Sequence, residues 1–292
     1  MIAVTGATGA LGRRVVERLA AAGDVPLRLV VRDADRAPQV PGAEIVANPG
    51  GYGDPAGLQA ALAGVDTLYL VSAAEAENRL EQHFAAVDAA VAAGVQRIVY
   101  TSFLNAAPDA VFTLVRQHAA TEDRIRQSGV RHTFLRHSMY ADFVPFFATV
   151  EDGGAVIAAP AGDGRTSFVS RDDLADVAVA VLLRGDSDLD GEALGVTGPE
   201  ALTMTEAADV LTEITGRPVT YRDQTVEEAW STRRPSGHPD WEIEGWVTSY
   251  LAIAAGVPDD EPERDAGRRE PVDDAATECP RGSCDGDHAR PA

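Results

Sequence analysis

The chain has 292 residues, 45% of them hydrophobic, which suits one large α/β unit or a domain with a smaller lobe appended. Its formal charge of −21 argues against nucleic acid and membrane surfaces as partners, since both select a basic face, and no apolar run reaches membrane-spanning length. There is no lysine, which excludes a lysine Schiff base, a P-loop lysine and a Tyr-x-x-x-Lys pair, and the two cysteines, Cys279 and Cys284, both fall in the tail, which suits a reducing, cytoplasmic setting.

The first predicted element is a buried strand that runs straight into Thr5-Gly6-Ala-Thr8-Gly9-Ala-Leu11-Gly12, followed by a helical stretch from Arg13 to Ala22. Strand, glycine turn and helix start in that order let backbone approach a pyrophosphate, which then sits on free helix N–H groups and the positive dipole end. Gly6, Thr8, Gly9, Ala10, Leu11 and Gly12 are therefore read as dinucleotide-binding. A strand this early predicts nothing upstream and no signal peptide.

Leu27–Val31 is the second predicted strand and Glu44–Val46 a short third. Pro55–Leu62 reads as a helix opened by Asp54. Asp66–Val71 is a buried strand, Glu77–Ala93 a long amphipathic helix ending at Gly94, and Arg97–Tyr100 the next strand. Ala110–Gln127 is helical and stops at Ser128-Gly129; His132–Leu135 is a sixth strand. Strands alternating with helices at this spacing predict a Rossmann-like, doubly wound parallel sheet covered on both faces. After about Asp152 glycine-rich pieces interrupt the rhythm. Helices are predicted at Arg171–Leu183, at Thr205–Thr215 opened by Thr205, and at Trp241–Ala255. The expected division is a dinucleotide-binding domain over 1–150, a smaller substrate lobe over 151–258, and an acidic tail over 259–292. That tail is too poor in apolar residues to offset its ordering entropy and is expected to be disordered. Its Cys279, Cys284 and His288 are too few for a metal site, and no metal is expected.

At the end of the second strand an acid would favour NAD by bonding the ribose 2′-hydroxyl. Arg32 stands there, with Asp33 next and Arg36 one turn on. A guanidinium matches a 2′-phosphate in charge and fork geometry, so NADP(H) is the preferred cofactor and NAD(H), held by Asp33, the alternative. Met139, Tyr140 and Phe143, after the sixth strand, could stack on a flat ring, with Phe103 and Leu104 opposite. His137 beside them is read as facing solvent.

Several stretches together resemble the NmrA-like family of atypical short-chain dehydrogenases/reductases, and within it the type 2 NAD(P)H:quinone oxidoreductases. They are the glycine turn, Val31-Arg32-Asp33, Tyr52-Gly53-Asp54, Leu70-Val-Ser72, Tyr100-Thr-Ser102, His118-x-x-x-Glu122, Leu135-Arg136 with Tyr140, and Ala161-Gly-Asp-Gly164. The likeness runs to about residue 255, where the family's further hydrophobic segment is replaced by the acidic tail. The resemblance implies hydride transfer from NADPH to a quinone or similar flat electrophile. It places Asp54 near the adenine, with Ser72, Thr101 and Ser102 along the path to the nicotinamide. His118 and Tyr140 are the catalytic candidates: His118 as proton donor to a quinol oxyanion, or else a helix-surface histidine paired with Glu122. The competing reading is a non-catalytic, NAD(P)-sensing regulator of the NmrA type that acts through a protein partner. A homodimer is compatible with either.

Overall fold

Strand β1 (Ile2–Thr5) is apolar on both faces: Val4 enters one core and Ala3 the other. The computed structural model describes residues 1–23, 25–185 and 187–256; the tail predicted from 259 onward, with its cysteines, lies outside them. Along the chain follow α1 (Ala10–Ala21), β2 (Leu27–Val31), β3 (Glu44–Ala47), α2 (Pro55–Ala61), β4 (Thr67–Leu70), α3 (Arg79–Ala92), β5 (Arg97–Phe103), α4 (Thr113–Ser128) and β6 (Arg131–His137). Then come α5 (Val144–Phe147), β7 (Ala148–Glu151), β8 (Gly154–Ala159), β9 (Arg165–Thr166), α6 (Arg171–Arg184), β10 (Ala193–Val196), β11 (Leu202–Thr203), α7 (Met204–Thr215), β12 (Val219–Asp223), α8 (Val226–Arg233) and α9 (Asp240–Ala255).

The main sheet has the order β3-β2-β1-β4-β5-β6-β10, and every neighbouring pair is parallel. This is the doubly wound arrangement expected of the sequence, with one strand more. Because strand side chains alternate in direction, Leu29, Val31, Tyr69, Val99 and Leu135 join one core with α1 and α6. Val30, Leu68, Leu70, Ile98, Tyr100 and Phe134 join the other, against α2, α3 and α4.

The chain crosses the expected division near residue 150 twice. Leu174, Ala175 and Ala178 of α6 share a core with Val15, Val16 and Leu19 of α1, and β10 pairs with β6. Both elements of the return have a physical cause. A parallel sheet must be covered on both faces, and β6 would otherwise present an unpaired edge. The smaller lobe is therefore built from segments on either side of this return. β8 lies between β7, antiparallel, and β12, parallel, while β9 and β11 form a two-stranded ladder. Ile157, Ala159, Met204, Leu211, Val219 and Ile253 form its core.

Helix ends follow local chemistry. Asp54 caps α2 by accepting from the Gly57 N–H at 3.0 Å. α7 starts earlier than expected, because Thr203 and Glu206, not Thr205, make the capping box. The same Thr–Glu device at Thr225 and Glu228 opens α8, which the sequence reading omitted.

Gly164 joins the smaller lobe's sheet to α9. A Cβ there would overlap the Ile253 carbonyl, whereas one on Gly53 would meet nothing. Gly164→Ala is expected to destabilise the protein by about 1–3 kcal/mol, the usual range for overpacking. Gly53→Ala should stay within about 1 kcal/mol, and paired urea-unfolding midpoints check the difference.

Candidate functional site

A cleft of about 1640 Å³ opens at the carboxyl ends of β1 and β4, where the strand order reverses. Its first wall is the glycine turn. Gly6 has φ 62°, a left-handed conformation, and its carbonyl accepts from the Gly9 N–H at 2.9 Å. Gly9 is the N-cap of α1 in extended backbone, with no side-chain cap and no acid in the first turn. The leading N–H groups of α1 are thus free for an anion, and the turn residues Gly6, Thr8, Gly9, Ala10 and Leu11 line the cleft. Gly12 does not line it. A Cβ on Gly12 would overlap the Gly6 carbonyl, so Gly12 is what lets the helix pack close under the turn. The Thr5 hydroxyl accepts from the Val71 N–H at 3.0 Å and donates to the Tyr69 carbonyl at 3.1 Å, tying β1 to β4 below the cleft.

Of the three residues read as cofactor-selecting, Arg32 lines the cleft, and Asp33 and Arg36 do not. The Asp33 carboxylate turns back to accept from the Asp35 N–H at 3.0 Å, and the Arg36 carbonyl accepts from Arg13. Asp54 is likewise engaged as the cap of α2; Asn48, Gly51 and Tyr52 form that end of the wall. Ser72 lines the cleft as expected. Thr101 and Ser102 do not: both are buried behind it. Thr101 Oγ1 accepts from the Ser72 N–H at 2.7 Å, and Ser102 donates to Glu122 Oε1 at 2.6 Å. Their side chains leave β5 toward β4 and α4, so they brace the lining residues.

His118 reaches the cleft from α4, but it is neither on the helix surface nor paired with Glu122. It is 6% exposed, and Glu122 instead holds Arg126 and Arg136 at 2.8 and 2.9 Å. Both ring nitrogens of His118 are engaged. Nε2 accepts from Arg79 Nη2 at 3.0 Å, which leaves the proton on Nδ1, 2.9 Å from the Tyr100 hydroxyl. Burial first, then the Arg79 charge, holds this imidazole well below the usual histidine range. His118 is therefore neutral at physiological pH and is not poised as an imidazolium acid.

Tyr140 and Phe143 form a stacked pair, ring centres 5.6 Å apart and planes 9° from parallel. The Arg171 guanidinium lies over both rings and pairs with Asp142 at 3.1 Å. Met139 and Phe103 also line the cleft, whereas Leu104 does not. His137 faces inward, 1% exposed, with Nδ1 2.9 Å from the Tyr140 hydroxyl. Burial pushes the Tyr140 hydroxyl up to about 12, so it acts as a neutral hydrogen-bonding group. The sequence reading missed Arg79, His83 and Arg171, together with Trp246 and Tyr250 of α9. Arg79 and His83 are one turn apart on α3, a spacing visible in the sequence, but only packing shows that this face is buried.

His83 and His137 are held down to about 3, in both cases chiefly by burial. Below pH 6.5 the unfolded chain takes up protons that the folded chain refuses, so stability falls as pH drops from 6.5 toward 3. Each such histidine contributes up to about 1.4 kcal/mol per pH unit in that window. Urea unfolding of wild type and His83→Gln between pH 7 and 5 should show a shallower pH slope for the variant.

The NAD(P)H-binding family model matches residues 6–184. Quinone oxidoreductase 2 of Escherichia coli (strain K12) is 34% identical over 243 residues, covering 82% of this chain and 83% of that protein. The (4-alkanoyl-5-oxo-2,5-dihydrofuran-3-yl)methyl phosphate reductase of Streptomyces griseus subsp. griseus is 38% identical, covering 78% of this chain and 79% of the other. The crystal structure of the Escherichia coli NADPH-dependent quinone oxidoreductase with NADPH superposes with a TM-score of 0.77 at 32% identity, over 87% of this chain and 89% of that one. Together with its free helix N-terminus at the sheet's switch point, the match over most of its length shows that this chain belongs to the NAD(P)H-binding family.

Proposed function

We propose that this protein passes hydride from NADPH to a flat, electron-poor acceptor of the quinone class. Its relatives at 34% and 38% identity are an oxidoreductase and a reductase, and the chain is an NAD(P)H-dependent oxidoreductase like them. The observation that carries the acceptor reading is one continuous cleft. It runs from Arg32, past the α1 N-terminus, into a chamber walled by Phe103, Tyr140, Phe143 and Trp246. Its volume exceeds the roughly 300–1,000 Å³ of a single-ligand pocket, which supports a dinucleotide and a second molecule side by side.

Bound NADPH would supply the hydride, which an electron-poor ring accepts without an acid to activate it. The chain's own contribution is binding and orientation. The leading N–H groups of α1 would hold the pyrophosphate. Arg32 would take the 2′-phosphate, with Asp33 turned away to its own cap. The aromatic walls would stack the acceptor and exclude water. His118 is held neutral, and Tyr140, pushed up to about 12, is a weak acid, so on this reading the proton that completes the product comes from solvent. A regulator that binds the dinucleotide without turnover would have no use for the aromatic chamber.

Purified protein given NADPH or NADH with a panel of benzoquinones and naphthoquinones should show saturable oxidation, with NADPH the better donor. Arg32→Ala should raise the KM for NADPH by roughly 10- to 100-fold, the loss of a charge-assisted pairing, and leave that for NADH within about twofold. Tight NADPH binding with no turnover on any acceptor would move the protein to the regulator class.

A further inference from the structure

Arg79 is a buried cation in no direct ion pair; the cleft-lining carboxylate of Glu75 acts on its charge only from beyond contact distance. It opens α3 on the cleft wall beside His118 and is 4% exposed. Its Nε donates to the Ala73 carbonyl at 2.9 Å, Nη1 to Gln117 Oε1 at 2.9 Å, and Nη2 to His118 Nε2 at 3.0 Å. All three acceptors are neutral, and among the described residues Arg79 enters no ion pair. Two other arginines of the cleft are neutralised: Arg171 by Asp142 at 3.1 Å and Arg222 by Glu151 at 3.2 Å. A guanidinium has five N–H groups, so two of those on Arg79 are left over. A buried cation whose contacts are all neutral is only partly offset by a carboxylate beyond contact, and it gains from an anion that reaches its free N–H groups.

The surrounding groups hold Arg79 in place. Ala73 accepts from Arg79 through its carbonyl, and its N–H donates to His83 Nε2 at 2.9 Å. His83 Nδ1 then donates to Thr121 Oγ1 at 2.9 Å, and His118 Nδ1 to the Tyr100 hydroxyl. Every ring nitrogen of the two histidines is thereby engaged. The two histidines thus hold the groups around Arg79.

We propose that Arg79 binds the oxyanion that hydride addition creates on the acceptor, an inference that rests on the reductase reading. The acceptor gains a hydrogen with two electrons from the dihydronicotinamide, which becomes the oxidised nicotinamide. One π pair of the acceptor moves onto its carbonyl oxygen as negative charge. The guanidinium pairs with that oxygen and keeps all its protons; one proton from water then completes the hydroxyl. Donors fixed before the charge appears need no reorganisation, which is where such groups act most strongly. The ligand class follows: flat molecules with an anionic oxygen, including stable anions that resemble the charged intermediate.

The test is calorimetric binding of two flat probes at neutral pH. One is a naphthoquinone with a hydroxyl on the quinone ring, which is an anion; the other is its neutral methyl counterpart. Cofactor-free protein is expected to bind the anion about tenfold or more tightly than the neutral quinone, as one charge-assisted pairing implies. Arg79→Gln should abolish that preference and lower kcat about 100-fold, the usual effect of losing an oxyanion donor. Arg79→Lys should restore part of the preference, and Arg171→Gln should keep it. Equal affinity of wild type for the two probes would overturn the proposal and requires no variant. So would a preference that survives Arg79→Gln, or one that vanishes when the protein is saturated with NADP⁺, since the cofactor would then occupy Arg79. Quinone turnover without the anion preference would reject this inference alone, whereas the anion preference without turnover would reject the reductase reading.

Discussion

Gly12 lies so close under the Gly6 carbonyl that a Cβ would overlap it. This contact draws the first turn of α1 against the end of β1. It sets the helix's unpaired N–H groups at the carboxyl edge of the sheet, where the order turns from β1 to β4. The rest of the cleft is arranged around that point. The Thr5 hydroxyl locks β4 alongside, Tyr52 closes the near wall by donating to the Val71 carbonyl at 2.6 Å, and Arg32 stands where the second strand ends. A larger residue at position 12 would push the helix away and leave its dipole aimed at nothing in particular.

Charge is distributed unevenly in this acidic chain. Arginines outside the cleft are mostly tied to carboxylates, as Arg18 is to Asp172 and Asp176, and Arg124 to Asp88. In the cleft the pattern changes. Exposed Arg32 and buried Arg79 have no carboxylate pair among the described residues, and the histidines near Arg79 are kept neutral by burial and by its charge. An overall net charge of −21 would repel a polyanionic nucleotide at long range. Against that field the cleft offers local, fixed positive groups: backbone N–H groups, and guanidinium groups in no ion pair among the described residues, those of Arg32, Arg79 and Arg233.

The acceptor end draws on distant parts of the chain. Phe103 comes from β5, Tyr140 and Phe143 from the segment after β6, and Trp246 and Tyr250 from α9. The smaller lobe brings the last pair into place through Gly164, which meets the Ile253 carbonyl of α9. Phe146 remains 83% exposed at the rim of the cleft.

The sequence by itself determined the alternation of strands and helices and the glycine turn. Those features are local: side-chain period sets the elements, and three glycines at fixed spacing set the turn. It also placed Arg32, Ser72, Met139 and Tyr140 on the cleft, because each lies within three residues of a strand's carboxyl end. Local pattern could not decide which way a side chain leaves a strand or which helix face another element covers. Thr101 and Ser102 follow the expected strand and yet point behind the cleft, and Asp33 and Asp54 turn to cap their own elements. The return of α6 and β10 to the main sheet was set by its need for a covered face and a closed edge. Only tertiary packing buried Arg79 against His118, since two residues 39 apart in sequence meet there through the stacking of α3 and α4 on one sheet face. Burial then changed their chemistry, leaving a neutral imidazole where one sequence reading had a proton donor, and making Arg79 a fixed cation.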